Sequence, residues 1–171
     1  MGDLDADGRP DVVAIAGTKL SVLRNQLSTP AGTAPYGSGT PGCSGILGLT
    51  ANKPPKVGEA TYGYICTNAP RGALGLGFAT DLQDAAGSDP FSLGITLHVG
   101  FLGASQLIAY DLLSDSTGTA FAPAPIPNFP FLVGSNFYVQ TLWLEALADG
   151  QACGPSPFHL VSSEAVALTV Q

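Results

Sequence analysis

Short apolar runs separated by turn-forming segments constrain this chain more than any other feature of its sequence. SGILGLTA, EATYGYICT, LGLGFAT and SNFYVQTLWLEAL alternate with stretches such as NKPPKVG, NAPRGA and ADGQACGPSP. Glycine and proline break helices and delimit strands, and the chain contains 22 Gly and 14 Pro. No segment shows a convincing amphipathic helical period. We therefore predict an all-β fold, an immunoglobulin-like antiparallel β-sandwich with an N-terminal β-hairpin extension.

Changes in composition divide the chain into three parts. Residues 1–28 hold an acidic loop and two short apolar runs, which we interpret as a hairpin and a possible donor segment for assembly. Residues 29–42 are rich in Pro, Gly, Ser and Thr, a composition typical of a linker. Residues 43–171 carry the recurring strand pattern and are long enough to bury a core.

The charge of the chain excludes several classes of function. Only 11% of the residues are charged, and six Lys and Arg against thirteen Asp and Glu give a net charge of −7. Binding to nucleic acid or to anionic membranes needs clustered cations, so we expect neither. No apolar run is long enough for a transmembrane helix, and MGDLDADG lacks the pattern of a signal peptide. No catalytic arrangement has motif support, so we predict no enzyme and no catalytic residues.

The first acidic stretch, GDLDADGRPD, has the spacing of a calcium loop. Calcium takes six to eight oxygen ligands, and alternate carboxylates can converge on one ion if the chain curls around it. The predicted ligands are four carboxylates and one backbone carbonyl, from Asp3, Asp5, Asp7, Arg9 (carbonyl) and Asp11. The loop is not an EF-hand, because Ala14 stands where an acidic residue would be required. The alternative is a solvated acidic segment without metal.

Two apolar runs follow this loop, DVVAIA at 11–16 and KLSVLRN at 19–25, and predict strands joined by Gly17-Thr18. A two-stranded hairpin is marginal alone in water. Its apolar residues therefore need a cover, and we predict an assembly role for Val13, Ile15, Leu20, Val22 and Leu23. Three outcomes stay open: the hairpin folds back on its own sandwich, docks on that of another copy, or is the remnant of a longer protein.

The chain has an odd number of cysteines, so at least one is free or bonded to another chain. If residues 45–52 and 58–67 are consecutive antiparallel strands, Cys43 lies close to Cys66. The last hairpin loop of such a sandwich lies at the same end and holds Cys153. Our first choice is a Cys43–Cys66 disulfide and our second is Cys43–Cys153. The alternative is that all three are reduced and buried.

Two further clusters have a functional and a structural interpretation. Three carboxylates in DLQDAAGSDP form either a second calcium or acid–base site or, as we favour, a polar surface loop; these are Asp81, Asp84 and Asp89. Four aromatic residues form either a sugar-binding platform or, as we favour, part of the core; these are Phe137, Tyr138, Trp143 and Phe158. His98 and His159 are interpreted as packed or surface residues.

Residues 2–25, GDLDADGRPDVVAIAG with KLSVLRN, resemble the FG-GAP/VCBS-type repeat of secreted bacterial proteins. The resemblance implies calcium binding by the aspartates and a hairpin that belongs to one propeller blade. This chain contains one partial repeat, so it cannot form a propeller alone.

Residues 36–171 resemble a C-terminal β-sandwich domain of large secreted proteins from planctomycete-like bacteria. The resemblance is carried by four stretches: YGSGTPGCSG, PPKVGEATYGYICTNAPRGALGLGF, GTAFAPAPIPNFPFLVGSNFYVQTLWLEA and the closing SSEAVALTV. In the last of these, Ser163-Glu164 replaces the usual Ser-Asn. It implies an extracellular, non-catalytic module and gives no ligand.

Together these features predict a non-enzymatic, secreted or cell-surface structural subunit. We expect it to assemble head to tail with other copies of itself, through its N-terminal strands, into a fibre or pilus-like filament. One alternative is a C-terminal accessory, sorting or attachment domain of a larger secreted protein. Another is a carbohydrate-binding module, with carbohydrate in place of a second copy as the partner. Calcium is the one predicted cofactor.

Overall fold

The computed structural model describes residues 29–145 and 153–171, together with the backbone of the strands at 12–16 and 19–23. These parts of the chain contain thirteen strands and one short 3₁₀ turn at Pro130–Leu132. The strands are β1 Val12–Ala16, β2 Lys19–Leu23, β3 Thr33–Tyr36, β4 Gly48–Ala51, β5 Gly63–Thr67, β6 Leu74–Thr80, β7 Gln83–Ser88, β8 Leu97–Val99, β9 Leu107–Leu113, β10 Ala120–Pro123, β11 Asn136–Leu144, β12 Leu160–Ser162 and β13 Ala165–Thr169. The predicted all-β fold is confirmed.

Two antiparallel sheets enclose the core. The smaller has the strand order β10-β5-β4, and the larger has the order β3-β13-β11-β6-β9, with β12 paired to β11 beyond the end of β13. Residues alternate between the two faces of a strand, so every second residue reaches the core. On β11 the core side holds Val139, Thr141 and Trp143, each at most 1% exposed. Trp143 packs close to β6, because a Cβ added to Gly75 would lie 2.5 Å from its ring.

A third layer, formed by β7 and β8, covers one half of the outer face of the larger sheet. The backbone N–H of His98 donates to Oε1 of Gln140 at 2.7 Å, and Nε2 of Gln140 donates to the Thr96 carbonyl at 3.1 Å. The ring of Phe101 meets that of Phe78 edge to face, with centroids 4.9 Å apart. The other half of this outer face has no such layer among the described residues.

The structure differs from the predicted linker at 29–42, because Thr33–Tyr36 form strand β3 at the edge of the larger sheet. Its residues pair with β13, from Thr33 opposite Leu168 to Tyr36 opposite Ala165. Pro35 is tolerated because an edge strand needs only one of its two hydrogen-bonding sides. The Tyr36 hydroxyl also donates to the His98 carbonyl at 2.8 Å. The folded unit therefore begins before Cys43, and the stretch between β2 and β3 is only nine residues long.

A second difference lies in DLQDAAGSDP, which the sequence predicts to be a loop. Its residues Gln83–Ser88 form β7, which pairs with β8 around a register shift. The strand is polar and half exposed because it lies on the outside of the third layer, so it lacks the apolar alternation that indicates a strand.

Candidate functional site

The N-terminal hairpin forms an antiparallel ladder in which Val13 lies opposite Val22 and Ile15 lies opposite Leu20. Cross-strand partners share one face of a ladder, and successive residues alternate between faces. The register therefore places these four residues on one face. Leu23 lies opposite Val12, on the other face. Four of the five predicted assembly residues thus share an apolar face on a two-stranded unit.

The predicted calcium ligands lie outside the described residues. Asp3, Asp5, Asp7, Arg9 and Asp11 all precede β1, whose first residue is Val12. Calcium binding by this loop stays a prediction.

The disulfide joins Cys43 to Cys153, with the two Cα atoms 4.9 Å apart. The first choice, Cys43–Cys66, is therefore wrong, and the second choice matches the structure. Cys66 is free and buried, and its sulfur lies 3.6 Å from the Thr141 hydroxyl in the core. Burial raises the pKa of the Cys66 thiol, which keeps it protonated and unreactive at neutral pH.

The chain path explains why Cys43 does not meet Cys66. Strand β4 begins only at Gly48, and the residues before it cross to the larger sheet, where Leu47 forms a parallel bridge with Ser163. Cys66 lies opposite Leu49, and both side chains are buried in the core. Strand order alone places the two cysteines at one end of the hairpin, but it does not show which layer Cys43 joins.

A buried carboxylate lies behind the disulfide. Glu145 is 6% exposed, and its two carboxylate oxygens accept the backbone N–H groups of Cys43 and of Cys153, the latter at 3.4 Å. These three side chains are the one cluster of potential metal ligands in the fully described ranges, with ligand atoms within 4.8 Å of one another. Because both sulfurs are in the disulfide, they are not thiolate ligands. Glu145 instead fixes the loops that carry the two cysteines.

The uncovered half of the larger sheet exposes a leucine-rich surface, which we call the leucine face. The register places its residues side by side on four neighbouring strands, with Leu74 opposite Leu113, Leu76 opposite Leu142 and Leu144 opposite Leu160. Leu74 is 68% exposed, Leu113 65%, Leu144 50% and Leu76 41%. Asp111, opposite Leu76, is its one charged residue. A shallow depression of about 550 Å³ runs across this surface.

A second apolar surface lies between the free edges of the two sheets, β9 and β10, and we call it the tyrosine groove. It has a volume of about 460 Å³, and its lining includes Tyr62, Tyr64, Ile108, Tyr110, Pro123 and Ile126. Burial raises the pKa of each of the three tyrosines. Within residues 29–145 and 153–171, the Tyr62 and Tyr110 hydroxyls have no hydrogen-bond partner although both are buried. The groove has no charged side chain among its lining residues.

The structure keeps the three carboxylates of DLQDAAGSDP apart. Asp81 accepts the backbone N–H groups of Ser105 and Gln106, and Asp89 accepts those of Leu93 and Gly94. These hydrogen bonds lower the pKa of both carboxyls. Asp84 accepts the backbone N–H of Gly87 at 3.0 Å. Asp84 and Asp89 each stabilise a local turn, whereas Asp81 joins the end of β6 to the residues before β9. The three carboxylates therefore lie in separate hydrogen-bonded settings, although part of the predicted polar loop is strand β7.

The four aromatic residues do not share one exposed surface. Trp143 is fully buried, and its Nε1–H donates to the Thr141 hydroxyl at 3.0 Å. Phe137 and Tyr138 are half-buried, and only Phe158 is mostly exposed, at 55%. His98 is buried between the third layer and the larger sheet, where Nε2 lies 3.0 Å from both the N and the O of Ser38.

In the ranges that the structure describes, no helix has the length and hydropathy that a bilayer crossing requires. Comparisons with models of protein families, with curated proteins and with solved structures found no match to this chain.

Proposed function

We propose that this chain is a non-enzymatic structural subunit that assembles head to tail with its own copies, through its N-terminal hairpin, into an extracellular fibre. The observation that supports this most is the register of the hairpin. It gathers Val13, Ile15, Leu20 and Val22 on one face of a unit that is marginal on its own in water. Such a unit gains stability when another surface covers that face.

The described residues after the hairpin form a core cluster among themselves. The core cluster runs from Leu47 to Val170 and draws on both sheets. The segment between Leu23 and Thr33 has nine residues and spans about 30 Å when extended. That reach allows the hairpin to leave its own sandwich and dock on the next copy. A donor at one place and an acceptor at another make a heterologous interface, which continues as a filament if the rotation does not close.

The disulfide supports the extracellular part of the proposal. Bonds such as Cys43–Cys153 persist in oxidising compartments and are rare in the cytosol. Low charge and exposed leucines also suit a subunit whose surface is partly covered by its neighbours. We propose that calcium, bound by the aspartates before β1, fixes the hairpin in its docking orientation.

The test compares the full chain with residues 29–171, produced separately. The full chain should form particles that grow with concentration, whereas the truncated chain should be a folded monomer, because it contains every residue of the core cluster from Leu47 to Val170. Analytical ultracentrifugation gives both masses, and circular dichroism checks that the β-sandwich remains. Assembly of the truncated chain to the same extent would contradict the proposal, as would a full chain that stays monomeric at every concentration.

A matched control separates loss of the apolar face of the hairpin from the effect of added charge alone. The double substitution Val13→Asp and Val22→Asp changes two facing positions of the apolar face and keeps the chain length. The paired change Ala14→Asp and Ser21→Asp adds the same charge on the opposite face of the ladder. The first variant should abolish assembly, and the second should leave most of it.

A further inference from the structure

We propose that the acceptor for the hairpin of the neighbouring copy is the leucine face of the larger sheet. This inference rests on the proposed function, because it names the partner surface for the assembly described there. The leucine face is an apolar sheet surface that no other layer covers in residues 29–145 and 153–171, and the register of the hairpin places four apolar residues on one of its faces.

The dimensions of the two surfaces match. Neighbouring strands lie about 4.8 Å apart and rise about 3.4 Å per residue, so the five-residue strands β1 and β2 form a unit about 10 Å wide including side chains and about 17 Å long. The leucine face crosses β12, β11, β6 and β9, which span about 14 Å. Two sheets of this kind can pack face to face, aligned or nearly orthogonal. The shallow depression across the leucine face leaves room for the side chains of a second layer.

The third layer shows how this sheet accepts a cover. Strands β7 and β8 form a two-stranded unit that packs on the other half of the same outer face, through Phe101 on Phe78 and through Gln140. The hairpin is also a two-stranded antiparallel unit, and docking beside β7 and β8 would complete that layer. The exposed leucines begin on β6 where the third layer ends, at Leu76 and Leu74.

Charge favours the hairpin over a second leucine face as the occupant. Residues 1–28, the N-terminal segment that carries the hairpin, contain three Lys or Arg and four Asp, a net charge of −1. Residues 29–171 contain three Lys or Arg and nine Asp or Glu, a net charge of −6. Two sandwiches therefore repel each other more strongly than a sandwich repels the N-terminal segment, and Lys19 and Arg24 are cations within that segment that can meet Asp111 of the leucine face.

The tyrosine groove is a less suitable acceptor. It is a cleft between two sheet edges, and a single extended strand would fill it better than a paired hairpin with a flat apolar face. The hairpin would have to open to enter the groove, which would break the ladder between β1 and β2.

The test uses three full-length variants. The acceptor variant carries Leu76→Lys and Leu113→Lys and keeps its hairpin, and the donor variant carries Val13→Asp and Val22→Asp and keeps its leucine face. The control carries Leu102→Lys and Phe131→Lys, which add the same charge as the acceptor variant at positions away from both surfaces. Each of these two residues is 78% exposed in the wild type. Light scattering coupled to size-exclusion chromatography reports the mass of each variant and of the equimolar mixture of donor and acceptor variants.

Both the donor variant and the acceptor variant should be monomers, with the concentration for assembly raised more than about tenfold, and the control should assemble like the wild type. Their mixture should stop at a 1:1 dimer, because it contains one intact hairpin and one intact leucine face per pair. That dimer also shows that both variants are folded.

Three results would overturn the inference, and they differ in what they say about the proposed function. If the acceptor variant assembles like the control, the acceptor lies elsewhere while assembly by the hairpin stands. If the donor variant forms dimers alone, leucine faces pair with each other. If the wild type is a monomer throughout, the proposed function and this inference both fail.

Discussion

Removal of the Cys43–Cys153 disulfide should destabilise the folded chain severely, because the bond closes a loop of 110 residues. The loop-closure model assigns a crosslink of this length about 4.8 kcal/mol, through the entropy that it removes from the unfolded chain. Loss of the bond also frees the loops whose backbone N–H groups donate to Glu145. A buried acceptor that loses its donors costs about 1–3 kcal/mol. These two contributions sum to about 6–8 kcal/mol, an upper bound, because removal of a native disulfide typically costs about 2–5 kcal/mol; we therefore expect a loss of about 3–5 kcal/mol in the free energy of unfolding.

The assay is urea denaturation of the truncated chain 29–171, which avoids coupling to assembly. The wild type is compared with the variant Cys43→Ala/Cys153→Ala, and Cys66→Ala serves as the control because it removes a cysteine and keeps the bond. The reduced wild type should match the double variant. A loss below about 1 kcal/mol in both would refute the reasoning, since it would mean that the bond neither restrains the unfolded chain nor holds the Glu145 loops.

Three further predictions concern packing, pH and calcium. Gly75→Ala should lower the free energy of unfolding by about 1–3 kcal/mol, because the new Cβ would lie 2.5 Å from the Trp143 ring. Gly45→Ala controls for the loss of a glycine, because an added Cβ there meets nothing within 4 Å, although the positive φ of Gly45 adds some strain. Equal losses in the two variants would count against the packing argument. The pKa of Asp115 is lowered by hydrogen bonds from the Thr117 hydroxyl and from the backbone N–H groups of Thr119 and Thr117. The ionised Asp115 carboxylate therefore stabilises the fold above the unfolded pKa of about 3.9, and this stabilisation is lost as the pH falls through the folded pKa. Thermal melting of Asp115→Asn should therefore depend less on pH below about 4 than that of the wild type, and parallel curves would contradict this assignment. Chelation of calcium should dissociate the assembled full chain and leave the melting temperature of 29–171 unchanged. Assembly that resists chelation, or that persists in the variant Asp5→Asn/Asp7→Asn with calcium present, would show that assembly does not depend on calcium.

The sequence predicts the fold class well, because strand and turn signals are local. LGLGFAT corresponds to β6 over its whole length, and SNFYVQTLWLEAL contains β11, the longest strand in the described part of the chain. Strands without apolar alternation were missed: β3 is rich in small residues and contains Pro35, and β7 is polar. Both depend on tertiary pairing at the periphery of the fold, for which a local pattern carries little information.

The disulfide and the leucine face depend on contacts between residues far apart in the sequence, which local patterns do not predict. The order of strands left two pairings open for Cys43, and the choice depended on the crossing of residues 42–47 to the larger sheet, which no local signal records. The sequence of β6 and β9 indicates the leucine face in part, since both strands are apolar on both faces except at Asp111. Only the arrangement of the layers shows which side of these strands is uncovered.

The central claim is open-ended, head-to-tail assembly through the hairpin, and mass photometry of the full chain over a dilution series tests it most directly. The account predicts a ladder of masses at successive multiples of 17.3 kDa, which extends to longer species as the concentration rises. A distribution that stops at the dimer at all concentrations would contradict it, because a closed pair requires an isologous interface, in which each copy uses the same surface.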